Sequence, residues 1–198
     1  MPLRAPASAA CWRATWRGSC TTPSTSSRTD SVRTRTQTAE GTEEFGARVA
    51  LVRPTTGAPF AVLHLRGELG SGKTTFARGF ARAAGVRGLV RSPTYKLLEP
   101  YPADGGTLVH LDLYRVQSPA ELDSLGLREW AAPGHLWLVE WPEHGAGRLP
   151  AADLVVSFTA SATGHDIEVA ASSALGAAWL VEMEGARRGG LETRRLTP

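Results

Sequence analysis

The chain has 198 residues, 42% hydrophobic and 21% charged, with two cysteines. That length suits one domain with a sizeable core, and the composition is that of a globular protein. No apolar run reaches the roughly 18 residues of a membrane span, and two cysteines do not make a disulfide scaffold. The net charge of +3 is uneven. Residues 1–36 hold six arginines and one acid, whereas the remainder carries 16 basic and 18 acidic residues, so charge alone points to no nucleic-acid-binding face. Twenty of the 22 basic residues are arginine, the lysines are Lys73 and Lys96 alone, and asparagine is absent.

Taken in order, residues 1–37 are rich in Ser, Thr, Arg and Ala without hydrophobic periodicity, and are expected to be a disordered tail. The composition resembles a transit segment, but a start codon assigned too far upstream explains it more simply. Cys11 and Cys20 both fall in this tail. The folded part is expected to start near Thr38 and run to 185 as a single domain, with 186–198 flexible. Thr42 to Val52 reads as a short capped helix with Phe45 and Val49 on one face. Phe60–Leu65 is a buried strand ending at a glycine turn. Lys73–Ala84 places Phe76, Phe80 and Ala84 on one helical face. Leu108–Leu113 is a second strand, and Pro119–Leu127 a short helix with Ser118 as N-cap and Pro at its first position. Leu136–Glu140 is a third strand. Leu154–Phe158 and Asp166–Ala170 form a hairpin around residues 162–165, and Ala177–Met183 fits strand or helix equally. Strands alternating with helices, then a hairpin, predict an α/β fold whose mixed sheet is parallel at its centre and antiparallel at its C-terminal hairpin.

Residues 67–74 read Gly-Glu-Leu-Gly-Ser-Gly-Lys-Thr, the pattern G-x-x-x-x-G-K-[ST] between a strand and a helix. Glycines let such a loop curl until successive backbone N–H groups converge on one anion, and the helix dipole adds to them. Lys73 would then reach the β- and γ-phosphates of a nucleoside triphosphate and the Thr74 hydroxyl would sit on Mg²⁺. For a chain of this composition the motif arises by chance about 0.004 times. Asp112 and Glu140 close the second and third strands, where an open α/β sheet forms its ligand crevice. Either acid could hold Mg²⁺, and Asp112 could instead orient the attacking water. Ser92-Pro93-Thr94-Tyr95 occupies the connection in which a hydroxyl can sense a γ-phosphate. Arg115 is a candidate phosphate or ion-pair cation.

Together the runs GELGSGKTTFARGFARAAGV, SPTYKLLEPY, HLDLYRV, ELDSLGL and LVEWPEHG resemble the bacterial P-loop ATPase family TsaE, also called YjeE, over about residues 38–170. The resemblance implies a P-loop NTPase-like three-layer sandwich and a small cytoplasmic, Mg²⁺-dependent ATPase. Such a protein serves the threonylcarbamoyl modification of the adenosine next to the anticodon of certain tRNAs. It acts on two partner proteins of the transferase complex, of the TsaB and TsaD type, and reaches tRNA through that complex. By motif, Leu69, Gly70, Ser71, Gly72, Lys73 and Thr74 would hold the phosphates, and Thr74 and Glu140 the Mg²⁺. Asp112 would be needed for hydrolysis, Thr94 would belong to the γ-phosphate-sensing loop, and Thr42 and Trp141 would lie close to the nucleotide. Where the family commonly has an arginine that approaches the nucleotide, this chain has His165, so that contact is weaker or Arg115 takes part of its role.

Rival readings are weaker on the residues. A small-molecule kinase of this fold usually needs an arginine-rich lid, and only Arg115 and Arg128 lie between Asp112 and Glu140. A GTPase needs an N-K-x-D loop, which a chain without asparagine lacks; Asp123-Ser124-Leu125-Gly126 matches D-x-x-G but follows a helical stretch rather than a strand. A module that binds ATP without turnover would not need both Asp112 and Glu140.

Overall fold

The computed structural model describes residues 31–56 and 59–195. Seven strands form one sheet: β1 (Ser31–Thr36), β2 (Ala61–Gly67), β3 (Leu98–Ala103), β4 (Gly106–Asp112), β5 (His135–Glu140), β6 (Leu154–Ser161) and β7 (Gly164–Ala171). Their order is β1-β7-β6-β2-β5-β4-β3. The four central strands, β6, β2, β5 and β4, are parallel, and β7, β1 and β3 are antiparallel additions. Three α-helices, α1 (Ala39–Leu51), α2 (Lys73–Ala83) and α3 (Ala174–Arg195), complete the chain with short 3₁₀ helices at Pro119–Leu125, Leu127–Trp130 and Pro142–Gly145.

Strand alternation divides the core in two. Leu63, Leu65, Leu108, Leu138, Leu154 and Val156 face the α-helices and pack on Phe45, Phe76, Phe80 and Trp179. Val62, Val109, Leu111, Trp137 and Val139 face the other way, onto Leu122 and Leu127 of the 3₁₀ helices. The expected three layers are therefore present, with one outer layer built from 3₁₀ turns rather than α-helices. The first two α-helices cross closely because Gly46 and Gly79 leave no side chain between them; a Cβ on Gly79 would lie 1.9 Å from the Glu43 carbonyl oxygen.

Several expectations are corrected. The sheet begins at Ser31, inside the stretch read as a tail. Strand β1 pairs along its whole length with β7, its Arg33 and Arg35 bond to Glu168 and Asp166, and Val32 packs on the core. The rest of that tail, with both cysteines, lies outside the described residues. The first helix begins at Ala39, because the Thr38 side chain accepts from Gly41 N as its N-cap; Thr42 is a buried residue of the first turn. Strand β3 was not anticipated. Its Pro100 and Pro102 sit at alternate positions of an edge strand, where a missing N–H costs no ladder bond. The segment 119–125 is 3₁₀ and stops at left-handed Gly126, although Ser118 and Glu121 do form a capping box at its start. The ambiguous segment 177–183 is helical, with Trp179, Leu180 and Met183 buried on one face. That helix runs to Arg195, through most of the stretch expected to be flexible, and residues 196–198 lie outside the description. The hairpin connection is the two residues Ala162 and Thr163, so His165 belongs to β7, paired with Ala160 on one side and Thr36 on the other.

Candidate functional site

The candidate site lies at the carboxyl ends of β2, β5 and β4. Strand β2 leads into the glycine loop through Gly67, and Gly72 caps α2 in the left-handed conformation, φ 97°. Two positions show why glycine is required. A Cβ on Gly67 would come within 2.6 Å of the Phe158 carbonyl oxygen and 2.8 Å of Ser71 Oγ. Gly70, at φ 77°, has open space above it, as a backbone meant to approach a ligand should. Leu69 is exposed at the rim and Ser71 is buried beneath the loop.

Lys73 is buried, and its ammonium folds back onto its own loop. Nζ donates to the Gly67 and Glu68 carbonyl oxygens at 2.7 and 2.8 Å and lies 4.0 Å from the centre of the Trp141 ring. Burial lowers its pKa, and the carboxylates of Glu140, Glu143, Asp112 and Glu68 oppose that shift. Trp141 holds its place by a left-handed backbone, φ 57°, which bends the chain sharply after β5 and sets its ring against Tyr114, 5.1 Å between centroids.

The two strand-end acids are neighbours in register, Asp112 opposite Glu140, yet have separate partners. Glu140 is buried; its Oε2 accepts from Thr74 Oγ1 at 2.9 Å and its Oε1 from His110 Nε2 at 2.9 Å. Asp112 is equally buried; its Oδ2 accepts from Ser92 Oγ and, at 2.8 Å, from Thr94 Oγ1, while its Oδ1 accepts from Tyr114 N at 3.0 Å. The Ser92–Leu97 connection is tied down at its other end by Leu97, which takes a left-handed turn at φ 62° and accepts from Asp112 N through its carbonyl.

Thr42 and His165 approach from the opposite side of the loop. A Cβ on Gly72 would lie 3.5 Å from Thr42 Cγ2 and 4.0 Å from His165 Nδ1, and Thr42 Oγ1 lies 2.8 Å from Thr36 Oγ1. Glu140, Trp141, Thr42 and His165 thus meet the glycine loop and the start of α2, and Asp112 stands beside Glu140 in register with Thr94 bound to it. Arg115 does not join them: its guanidinium stacks on exposed Tyr95, 4.3 Å from the ring centre. Asp123 of the D-x-x-G match pairs with Arg148. The partners Ser92, Tyr114 N and His110 are not assigned by the sequence: the Ser92–Tyr95 run offers two hydroxyls without saying which one binds Asp112, and a histidine in an apolar strand is not distinguishable from a core residue.

The residues fit a nucleotide phosphate with Mg²⁺. A hydroxyl and a carboxylate 2.9 Å apart are hard oxygen donors of the kind Mg²⁺ takes alongside phosphate and water. The described residues contain no cluster of three His, Cys, Asp or Glu that could hold a metal. No helix among the described residues is long and apolar enough to cross a membrane.

Comparison with known proteins gives a consistent result. The sequence model of the family described as threonylcarbamoyl adenosine biosynthesis protein TsaE matches residues 36–167. A protein of Haemophilus influenzae named tRNA threonylcarbamoyladenosine biosynthesis protein TsaE is 41% identical over 115 residues, 58% of this chain and 73% of that one. Proteins of the same name from Bacillus subtilis and Aquifex aeolicus are 40% and 44% identical over 92 and 84 residues, spanning 57% and 58% of their own lengths and 46% and 41% of this one. The crystal structure of Bacillus subtilis YdiB superposes with a TM-score of 0.66 at 27% identity, covering 82% of this chain and 99% of that one.

Proposed function

The chain belongs to the TsaE family, and so to tRNA threonylcarbamoyladenosine biosynthesis, and we propose that its part there is to bind ATP with Mg²⁺ and hydrolyse it in the cytoplasm, driving a step on a partner transferase complex. The observation that carries this reading is the bond from Thr74 of the glycine loop to Glu140 at the end of β5, with Asp112 opposite Glu140 in register.

Each residue then has a defined task. The backbone amides of the 67–72 loop and the first turn of α2 hold the phosphates, and the Lys73 ammonium leaves its loop carbonyls to meet the β- and γ-phosphate oxygens. Thr74 and Glu140 would hold Mg²⁺, which when bound would supply positive charge to the phosphates. Asp112 orients the attacking water and takes up its proton. Ser92 and Thr94 fix the Asp112 carboxylate from one side and Tyr114 N from the other. Thr42, Trp141 and His165 border the nucleotide. His165 is shorter than arginine, and with Arg115 stacked on Tyr95 it is His165 that lies near Gly72. The partners are two proteins of the TsaB and TsaD type, and tRNA is reached through them.

Steady-state ATP hydrolysis by the full chain, alone and with the two partner proteins added, tests the proposal. The expected result is slow turnover alone that rises in the complex. Turnover indifferent to the partners, or dependent on a small phosphate acceptor, would overturn it in favour of a kinase.

A further inference from the structure

His110 sits in the middle of β4 among leucines and valines and is fully buried. It pairs with Leu138, and alternation puts its ring on the same sheet face as Glu140 two residues further along β5. Its Nε2 is 2.9 Å from Glu140 Oε1, while Nδ1 is buried with no hydrogen-bond partner. A carboxylate oxygen can only accept, so Nε2 is the donor of this bond. An imidazole held at this depth with one nitrogen unmatched is a poor packing choice beside Val109, Leu111 and Leu138, which fill equivalent places with apolar atoms. What it gains is a hold on one carboxylate oxygen while Thr74 engages the other.

We propose that His110 is a positioning residue for the nucleotide-bound metal: by pinning Glu140 Oε1 it keeps Oε2 aimed at the Thr74 hydroxyl. The proposal rests on the reading of Thr74 and Glu140 as the Mg²⁺ pair. Outer partners of metal-ligating groups typically change metal affinity by about 10–100-fold when removed.

The test is ATP affinity by calorimetry on the full-length chain, titrated with Mg²⁺ and repeated in EDTA. His110→Phe keeps the ring and removes the donor. It should raise the Mg²⁺ concentration needed for tight ATP binding by about 10–100-fold, while ATP affinity in EDTA stays within about threefold. His110→Gln, whose amide nitrogen reaches the position of Nε2, should restore the wild-type Mg²⁺ dependence. A Mg²⁺ dependence unchanged in His110→Phe, or an equal loss with and without Mg²⁺, overturns the proposal. Should His110→Phe fail to fold, His110→Asn, whose amide stops one bond short of Glu140, takes its place: Asn must show the loss and Gln must not, and equal behaviour of the two amides overturns the proposal. A wild-type protein whose ATP affinity is indifferent to Mg²⁺ would overturn the underlying assignment of Thr74 and Glu140, and this inference with it.

Discussion

The sharpest test of the candidate site is Asp112→Asn, because the surrounding hydrogen bonds let the charge be removed without unmaking the structure. Asp112 receives three donors: the Ser92 and Thr94 hydroxyls on Oδ2 and Tyr114 N on Oδ1. In the asparagine variant the amide oxygen can keep the Tyr114 N–H bond. The new NH₂ faces two hydroxyls, which rotate to accept, and these already lie 2.6 Å from each other. One hydroxyl proton is left over, but Ser92 and Thr94 are only half-buried and water can take it, so the stability cost should stay near about 1 kcal/mol. Asp112→Ala differs: the hydroxyls can still bond to each other, but Tyr114 N–H loses its partner, at about 1–3 kcal/mol. For a chain of this size that lowers Tm by roughly 2–12 °C. If Asp112 acts on the attacking water, both variants should lose turnover by about 10²–10⁴-fold, the range for a positioned general base. Both should bind ATP within a few-fold of wild type. Calorimetric ATP binding, thermal melting and single-turnover hydrolysis with the partner proteins separate these quantities. Asparagine turnover within about threefold of wild type would refute the role; loss of ATP binding in both variants would make Asp112 part of the nucleotide cradle instead.

Lys73→Ala should weaken ATP binding by about 10–150-fold, since a charge-assisted hydrogen bond is worth about 1.5–3 kcal/mol; unchanged affinity by calorimetry would remove Lys73 from the site. Deleting residues 1–36 removes strand β1, the Val32 contact and the Thr36–Thr42 bond, whereas deleting 1–30 leaves them, so only the longer truncation should lower Tm; equal melting of the two would show that β1 adds nothing to the fold. His64, pushed down to about 4 by burial and by the nearby Arg66 against the pull of the Pro150 carbonyl, binds its proton more readily unfolded than folded. Its contribution is complete above about pH 6.5 and is lost as pH falls toward about 4, by up to roughly 3 kcal/mol. Urea unfolding of wild type and His64→Leu at pH 7.5 and 5 should show a smaller pH effect in the variant, and equal pH effects would refute the assignment.

What the sequence revealed, and what it hid, follows from the range of the interactions. The glycine loop was legible because its geometry is written in eight consecutive residues, with a strand before and a helix after. The central strands were legible because burial on both faces makes their apolar runs continuous. Strand β1 was hidden because an edge strand with one exposed face alternates Val32, Thr34 and Thr36 with Arg33 and Arg35, and those arginines find their acids some 130 residues away. Strand β3 was hidden by prolines, which argue against a strand everywhere except at an edge. The ambiguity of 177–183 needed the core itself, since Trp179 is buried by donating to Val49 of α1.

The division of labour between Asp112 and Glu140 is the part that only the three-dimensional arrangement addresses. From sequence the two acids are interchangeable, both closing neighbouring parallel strands at positions directly opposite each other. Their partners are not interchangeable. Glu140 is gripped by a helix hydroxyl and a buried imidazole, both on rigid elements, which suits a ligand that must not move. Asp112 is gripped by two hydroxyls from the Ser92–Leu97 connection, a segment held by turns rather than by sheet or helix. On the proposed reading, the acid that must hold a metal stays fixed while the acid that must act on water is coupled to a loop able to respond to what binds above it. A partner protein that pulled on Ser92 and Thr94 would therefore change hydrolysis through Asp112 and leave Mg²⁺ and ATP affinity, which depend on Thr74 and Glu140, nearly as they were. Measuring ATP affinity and turnover in parallel as the partners are added would check this: the expected result is turnover that rises at constant affinity, and a rise in affinity of the same size would place the partners' effect on the phosphate cradle instead.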